Sequence, residues 1–298
     1  MSGDRPYRPV HGTVSDVAFV ALPPTAVDAA AGPTRLIVAW PGFDPPRTAR
    51  ALAAALPMTG VPAWRIYVDL PGRPVAGLES GAILESEAVE AFADAVEQSV
   101  ARLPGLVAEL GGLLGVPDGP VGLAGFSTGG SAALLAVARR VVPVSAAAVV
   151  APVVAPARAA SAVERRAGRE NRWTDEAALL AERLDLRRLA ARMHGVPLLL
   201  VAGARDRVVP PREVTGLGEL LPDAETATFR MGHALAAEPG TEALPPITDA
   251  VRVDGVLTDW FRQRVTGGDV PVELTVPDME DAVHLVGHVA RDQWRAST

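Results

Sequence analysis

Ser127 sits in Gly125-Phe-Ser127-Thr-Gly129, a G-x-S-x-G pattern that sets a serine on a sharp strand-to-helix turn. The glycines answer crowding, because a backbone that reverses so tightly leaves little room for Cβ atoms two residues either side. A serine hydroxyl is a weak nucleophile alone. It needs a base to take its proton, an acid to orient that base, and N–H donors where the oxyanion forms. The chain has 5 histidines. His11 precedes the core, His194 sits on the approach to a strand, and His284 and His288 lie in the tail. His233 alone stands just past a strand end in the last third of the core. Asp206 directly follows another apolar run, although Asp206-Arg-Val-Val-Pro210 also reads as turn chemistry. A serine, a histidine and an aspartate in these settings would perform acyl transfer through a covalent acyl-serine.

The elements that must position these residues follow from hydrophobic pattern. Pro120-Val-Gly-Leu-Ala124 reads as a buried strand, and Ser131 to Arg140 as an alanine- and leucine-rich helix ending in two arginines that suit a helix C-terminus. Further strands are predicted at 35–40, 63–69, 144–152, 196–202 and 226–231, with an edge strand at 14–22. Helices are predicted at 46–56, at 85–114 with a break at Pro104-Gly105, at 211–221 and at 247–265. Strands alternating with helices imply a mostly parallel central sheet covered on both faces, an α/β fold. In such a sheet, catalytic groups collect in a crevice at the carboxyl ends of the strands. Ser127, Asp206 and His233 each follow an apolar strand directly.

Residues 157–192 shift to arginines and acids without a strand pattern. They read either as a solvated helical insertion or as a small helical lid. The expected organisation is a single domain over 1–298, with 157–192 as the insertion and 266–298 as a C-terminal extension. In that extension, 270–276 is β-prone and 278–294 is a helix candidate. On such a helix His284 and His288 would share a face four residues apart, a spacing that can bind a metal, but the glutamate of a zinc-protease motif is missing.

Composition narrows the chemistry. There are 0 cysteines, so disulfides and thiol catalysis are excluded. All 28 basic residues are arginine, which removes Schiff-base chemistry, a P-loop lysine and a Ser-Lys dyad. A net charge of −7 argues against nucleic acid as the main partner. No apolar run is long enough to cross a bilayer, and the first residues do not read as a signal peptide. A cytoplasmic protein is expected.

These residues resemble the α/β-hydrolase superfamily over 36–265. Gly-Phe-Ser127-Thr-Gly-Gly130 resembles its nucleophile elbow, Gly203-Ala-Arg-Asp206-Arg-Val-Val-Pro210 the segment that carries its acid, and Met231-Gly-His233 its histidine loop. Serine, then acid, then histidine is also the superfamily's chain order. Asp69-Leu-Pro-Gly72 is similar to the turn after the fourth strand. Trp40-Pro41-Gly42-Phe43 aligns with the loop that usually reads His-Gly-x, with Pro41 where histidine is common. The resemblance implies an oxyanion hole made by the backbone N–H groups of Phe43 and Thr128, no metal, and no organic cofactor.

The implied function is hydrolysis of a carboxylic ester or thioester of a small-molecule acyl substrate. Acyl transfer or cyclisation from the same acyl-enzyme is a second reading, and a hydrolase-like scaffold acting as a binding module is a third. Arg165, Arg166, Arg169 and Arg172 leave open an acyl group carried on phosphopantetheine or coenzyme A, or merely a mixed-charge helix face. The sequence fixes no oligomeric state, with a homodimer one option.

Overall fold

Alternation along single strands decides how the sheet is covered. In Leu36–Trp40, for example, Leu36, Val38 and Trp40 join one buried cluster while Ile37 and Ala39 join another, the period of two that sends successive side chains to opposite faces. The computed structural model describes residues 9–25, 35–72, 76–266 and 282–286. Its strands are β1 (Val10–Val14), β2 (Val17–Leu22), β3 (Leu36–Trp40), β4 (Trp64–Val68), β5 (Val121–Phe126), β6 (Val144–Val150), β7 (Leu198–Gly203), β8 (Ala224–Phe229) and β9 (Ala282–Val286). Among the described residues they form one sheet in the order β1-β2-β4-β3-β5-β6-β7-β8-β9. The run from β4 to β8 is parallel. The pairs β1–β2, β2–β4 and β8–β9 are antiparallel.

Helices cover both faces. On one lie α1 (Ala49–Ala55) and α7 (Thr248–Thr266), whose Leu52, Val253 and Phe261 pack with Ile37, Tyr67 and Val201. On the other lie α2 (Ser86–Leu114) and α3 (Thr128–Arg139), whose Phe92, Val96 and Leu134 pack with Val38, Ile66 and Leu200. The segment 157–192 is helical, with α4 (Pro156–Ala167), α5 (Asp175–Arg183) and a 3₁₀ stretch at Leu186–Met193, and α6 (Pro211–Gly218) follows β7.

Three expectations are corrected. The single edge strand at 14–22 is a hairpin, turned at Ser15 and Asp16 with φ of 49° and 61°. A two-residue turn with both φ positive matches the twist of the strands it joins. The break at Pro104-Gly105 does not occur, since α2 runs 29 residues with Pro104 inside it. Pro104 is exposed, and Phe92, Val96, Val100, Leu103, Leu106 and Leu110 keep one buried stripe through it. Packing of that face outweighs one lost backbone bond on the solvent side. Finally, 278–294 is not a helix throughout, because Ala282–Val286 is a strand paired with β8. Its backbone pairs with the open ladder of β8, and sheet pairing overrides local helical preference. The β-prone piece 270–276 and His288 lie outside the described residues.

Candidate active site

The elbow is built by backbone contacts that exclude side chains. A Cβ on Gly125 would lie 2.6 Å from the Gly130 nitrogen, and one on Gly129 would lie 2.5 Å from the Trp40 carbonyl carbon. Only glycine at both positions lets β5, α3 and the loop after β3 meet. Between them, Ser127 takes φ 51° and ψ −116°, a conformation costing a non-glycine residue about 1–3 kcal/mol. The neighbours fix it. Ser127 N–H donates to Val150 O at 2.9 Å, and Ser131, whose N–H donates to Ser127 O at 3.1 Å, is itself tied to Val153 O through its hydroxyl at 2.9 Å. The surrounding sheet therefore holds the strained residue at the carboxyl end of β5.

Asp206 and His233 reach the same point from β7 and β8. The two strand ends are laced together by Ala204 N–H to Phe229 O at 2.7 Å and Arg205 N–H to Met231 O at 2.9 Å. Asp206 Oδ1 accepts the N–H groups of Val208 and Val209, both at 2.8 Å, which aims Oδ2 at the histidine. His233 Nδ1 then lies 2.7 Å from Asp206 Oδ2, and its Nε2 lies 3.0 Å from Ser127 Oγ. The Phe126 ring packs 5.2 Å from the imidazole. The structure thus brings all three side chains singled out in the sequence into one continuous hydrogen-bonded chain.

Electrostatics favour a basic imidazole. Burial alone would push the His233 pKa down, since a buried cation loses hydration. The Asp206 carboxylate opposes this by charge and hydrogen bond, Asp44 and Glu79 add to it, and the net shift is upward. The site is buried as well, with Ser127 0% and His233 3% exposed.

The loop Pro41-Gly42-Phe43 lies against the elbow, where a Cβ on Gly42 would be 2.9 Å from Ser127 Cβ. The Thr128 amide opens α3, so it is one of the N–H groups a helix start leaves without an intrahelical acceptor. From Gly42 and Phe43 a cleft of about 530 Å³ runs outward past Arg47, Asp69, Leu70 and Glu238. Burial pushes the Asp69 carboxyl up, offset by the Ala49 N–H it accepts and by Arg50.

Sequence reasoning missed the part played by residues 77–86. Leu78 and Glu79 hold Asp44 beside His233, and residues 79–84 are tied by hydrogen bonds to the 157–192 segment. Arg166 Nη2 donates to Glu79 O at 2.6 Å, Arg169 to Gly81 O at 3.4 Å, Trp173 Nε1 to Ile83 O at 2.8 Å, and Arg172 N–H to Leu84 O at 2.7 Å. It also missed Asp44, 2% exposed, whose Oδ2 lies 3.6 Å from His233 Nε2. Nothing in the spacing around Asp44 marks it, because the partners that seat it come from 77–79. Among the described residues, no cluster of three or more His, Asp or Glu side chains is arranged to hold a metal ion.

No family model and no curated protein matches this sequence. Solved structures do. The acylaminoacyl peptidase of Pyrococcus horikoshii superposes with a TM-score of 0.60 at 14% identity, covering 90% of this chain and 43% of the peptidase. This chain therefore spans less than half of that protein's length. A monoacylglycerol lipase of Paleococcus ferrophilus gives 0.55 at 15% identity over 83% of this chain and 99% of the lipase. The esterase Pf2001 of Pyrococcus furiosus gives 0.52 at 14% identity over 87% of this chain and 93% of the esterase. This chain has the α/β-hydrolase fold. Ser127 follows β5, Asp206 follows β7 and His233 follows β8, and among the described residues no helix is long and apolar enough to cross a membrane.

Proposed function

We propose that this protein is a serine hydrolase that cleaves a carboxylic ester or thioester through an acyl-enzyme on Ser127. One observation carries the reading. Asp206 Oδ2, His233 and Ser127 Oγ form an unbroken chain of 2.7 and 3.0 Å contacts, assembled from three separate strand ends. His233 Nε2 takes the serine proton as Oγ attacks the carbonyl carbon, and Asp206 holds the ring in the tautomer that leaves Nε2 free to accept. The N–H groups of Phe43 and Thr128 receive the oxyanion, where loss of one donor costs about 3–4 kcal/mol of barrier. His233 then gives its proton to the leaving group. Water repeats the sequence on the acyl-enzyme, and the serine is restored.

The 530 Å³ cleft reaches Gly42 and Phe43, next to Ser127, and this reading assigns it to a small acyl substrate. The roof formed by 77–86 and 157–192 acts as a cover that opens for entry, which accords with a nucleophile of 0% exposure. Arg166 and Arg169 are engaged with carbonyl oxygens of that roof, which favours a structural role for them over binding a carrier phosphate. Turnover of an acyl ester and an acyl thioester series by the wild type and by Ser127→Ala tests the proposal. Loss of at least about 10³-fold in the folded variant is expected, and wild-type rates without Ser127 would overturn it.

A further inference from the structure

The imidazole of His233 has a carboxylate on each side. Asp206 Oδ2 lies 2.7 Å from Nδ1, and Asp44 Oδ2 lies 3.6 Å from Nε2, the nitrogen that faces Ser127. Asp44 comes from the loop after β3, independent of β7 and β8, and only 2% of it is exposed. Its seat is built for it. Oδ2 accepts the Leu78 N–H at 3.0 Å and Oδ1 the Glu79 N–H at 3.1 Å, the opening amides of the 3₁₀ turn Leu78–Ser80. A Cβ on Gly77 would overlap Oδ1, so glycine there keeps the carboxylate in place.

Burying a carboxylate next to a nucleophile is costly unless hydrogen bonds and an opposite charge offset it, and two backbone N–H groups supply the first. The charge available is the imidazolium that forms when Ser127 gives up its proton. We propose that Asp44 is a positioning residue for His233: it faces Nε2 as Asp206 faces Nδ1, holds the transferred proton on the ring, and thereby suits the site to acyl groups on acidic leaving groups, thiols or phenols, rather than on alkyl alcohols.

This inference rests on the serine-hydrolase reading above. It follows from acid–base reciprocity. A histidine whose protonated form is stabilised is a stronger base toward Ser127 and a weaker acid toward the leaving group. Leaving groups that depart with little help from a proton lose least. The other charged groups around the ring do not substitute for Asp44. Glu79 is exposed to solvent, Asp206 is on the opposite nitrogen, and Arg47, near Gly77, is paired with Glu238 at 3.2 Å. No bond is made or broken at Asp44. The proton moves from Ser127 Oγ to Nε2 and on to the leaving atom.

The experiment follows the His233 ring by NMR titration in the wild type, Asp44→Asn and Glu79→Gln, alongside the ratio of kcat/KM for a phenyl and an ethyl ester of the same acid. Asp44→Asn is expected to lower the His233 midpoint by about one pH unit, the effect of a near charge in a buried site. It should also reduce the phenyl-to-ethyl ratio severalfold. Glu79→Gln should move the midpoint by less than about 0.3 unit, since water screens its carboxylate. Identical midpoints in Asp44→Asn and wild type would overturn the proposal and leave Asp44 as a cap on the 78–80 turn. If Asp44→Asn does not fold, the wild type decides alone. The ¹³C carboxyl resonance of Asp44 should show an inflection at the His233 midpoint, and its absence would overturn the proposal equally. Shifted midpoints without any ester turnover would sustain the Asp44–His233 coupling and count instead against the hydrolase reading.

Discussion

Gly129→Ala tests the elbow where it is tightest. The new Cβ would lie 2.5 Å from the Trp40 carbonyl carbon and nearer still to the carbonyl oxygens of Trp40 and Pro41. Non-bonded carbons rest about 3.5–4.0 Å apart, so the overlap is roughly 1 Å. Overpacking a core where side chains can give way costs about 1–3 kcal/mol. Here the obstructing atoms are backbone of a loop held between β3 and α3, so the cost falls at the top of that range. About 3 kcal/mol lowers the melting temperature of a large domain by roughly 6–12 °C. The forced separation also moves loop 41–43 off Ser127, so labelling by an active-site reagent should slow with it. The matched control is Gly255→Ala in α7, where nothing stands within 4 Å of the added atom. Glycine inside a helix is about 0.5–1 kcal/mol worse than alanine, so this variant should melt slightly higher. Differential scanning calorimetry of both variants reads the contrast. A Gly129→Ala protein that melts within about 2 °C of wild type and labels at the wild-type rate would refute the claim that close backbone approach builds the site.

Two further predictions concern a buried charge and the roof. Burial pushes Asp254 up to about 6, with the Met58 N–H and Arg65 opposing. The native state therefore binds that proton more tightly than the unfolded chain, and stability is gained as pH falls from about 7 toward 4 while the ionised form costs stability above 6. Asp254→Asn should raise unfolding free energy at pH 8 by about 1–3 kcal/mol and leave it unchanged near pH 4. Urea titrations at the two pH values decide, and an equal loss at both would contradict the account. Arg166→Ala removes the bonds from α4 to the Glu79 and Arg207 carbonyls. It should speed covalent labelling of Ser127 a few-fold by easing the roof open, whereas slower labelling would mean that the roof shapes the site rather than shuts it.

The parts of this protein legible in its sequence are those fixed by local rules. The elbow announces itself because two glycines and a serine at fixed spacing have one steric solution, and Asp206 and His233 follow because apolar strands end just before them. Other features depend on partners distant in sequence. Pro104 looks like a helix stop until the buried stripe on the far side of α2 is counted. Ala282–Val286 looks helical until the open edge of β8 receives it. Asp44 is invisible in sequence, because its seat is made by amides 34 and 35 residues away. Local pattern wins where backbone sterics decide, and tertiary contacts win where a weak local preference meets a strong partner.

The most direct measurement is reaction of the folded protein with a fluorophosphonate, with mass mapping of the adduct and Ser127→Ala in parallel. A single adduct on Ser127, absent from the variant and formed more slowly as pH falls below the raised midpoint of His233, is the predicted result. No adduct on folded wild-type protein, or an adduct on a different serine, would contradict the assignment of Ser127 as an activated nucleophile.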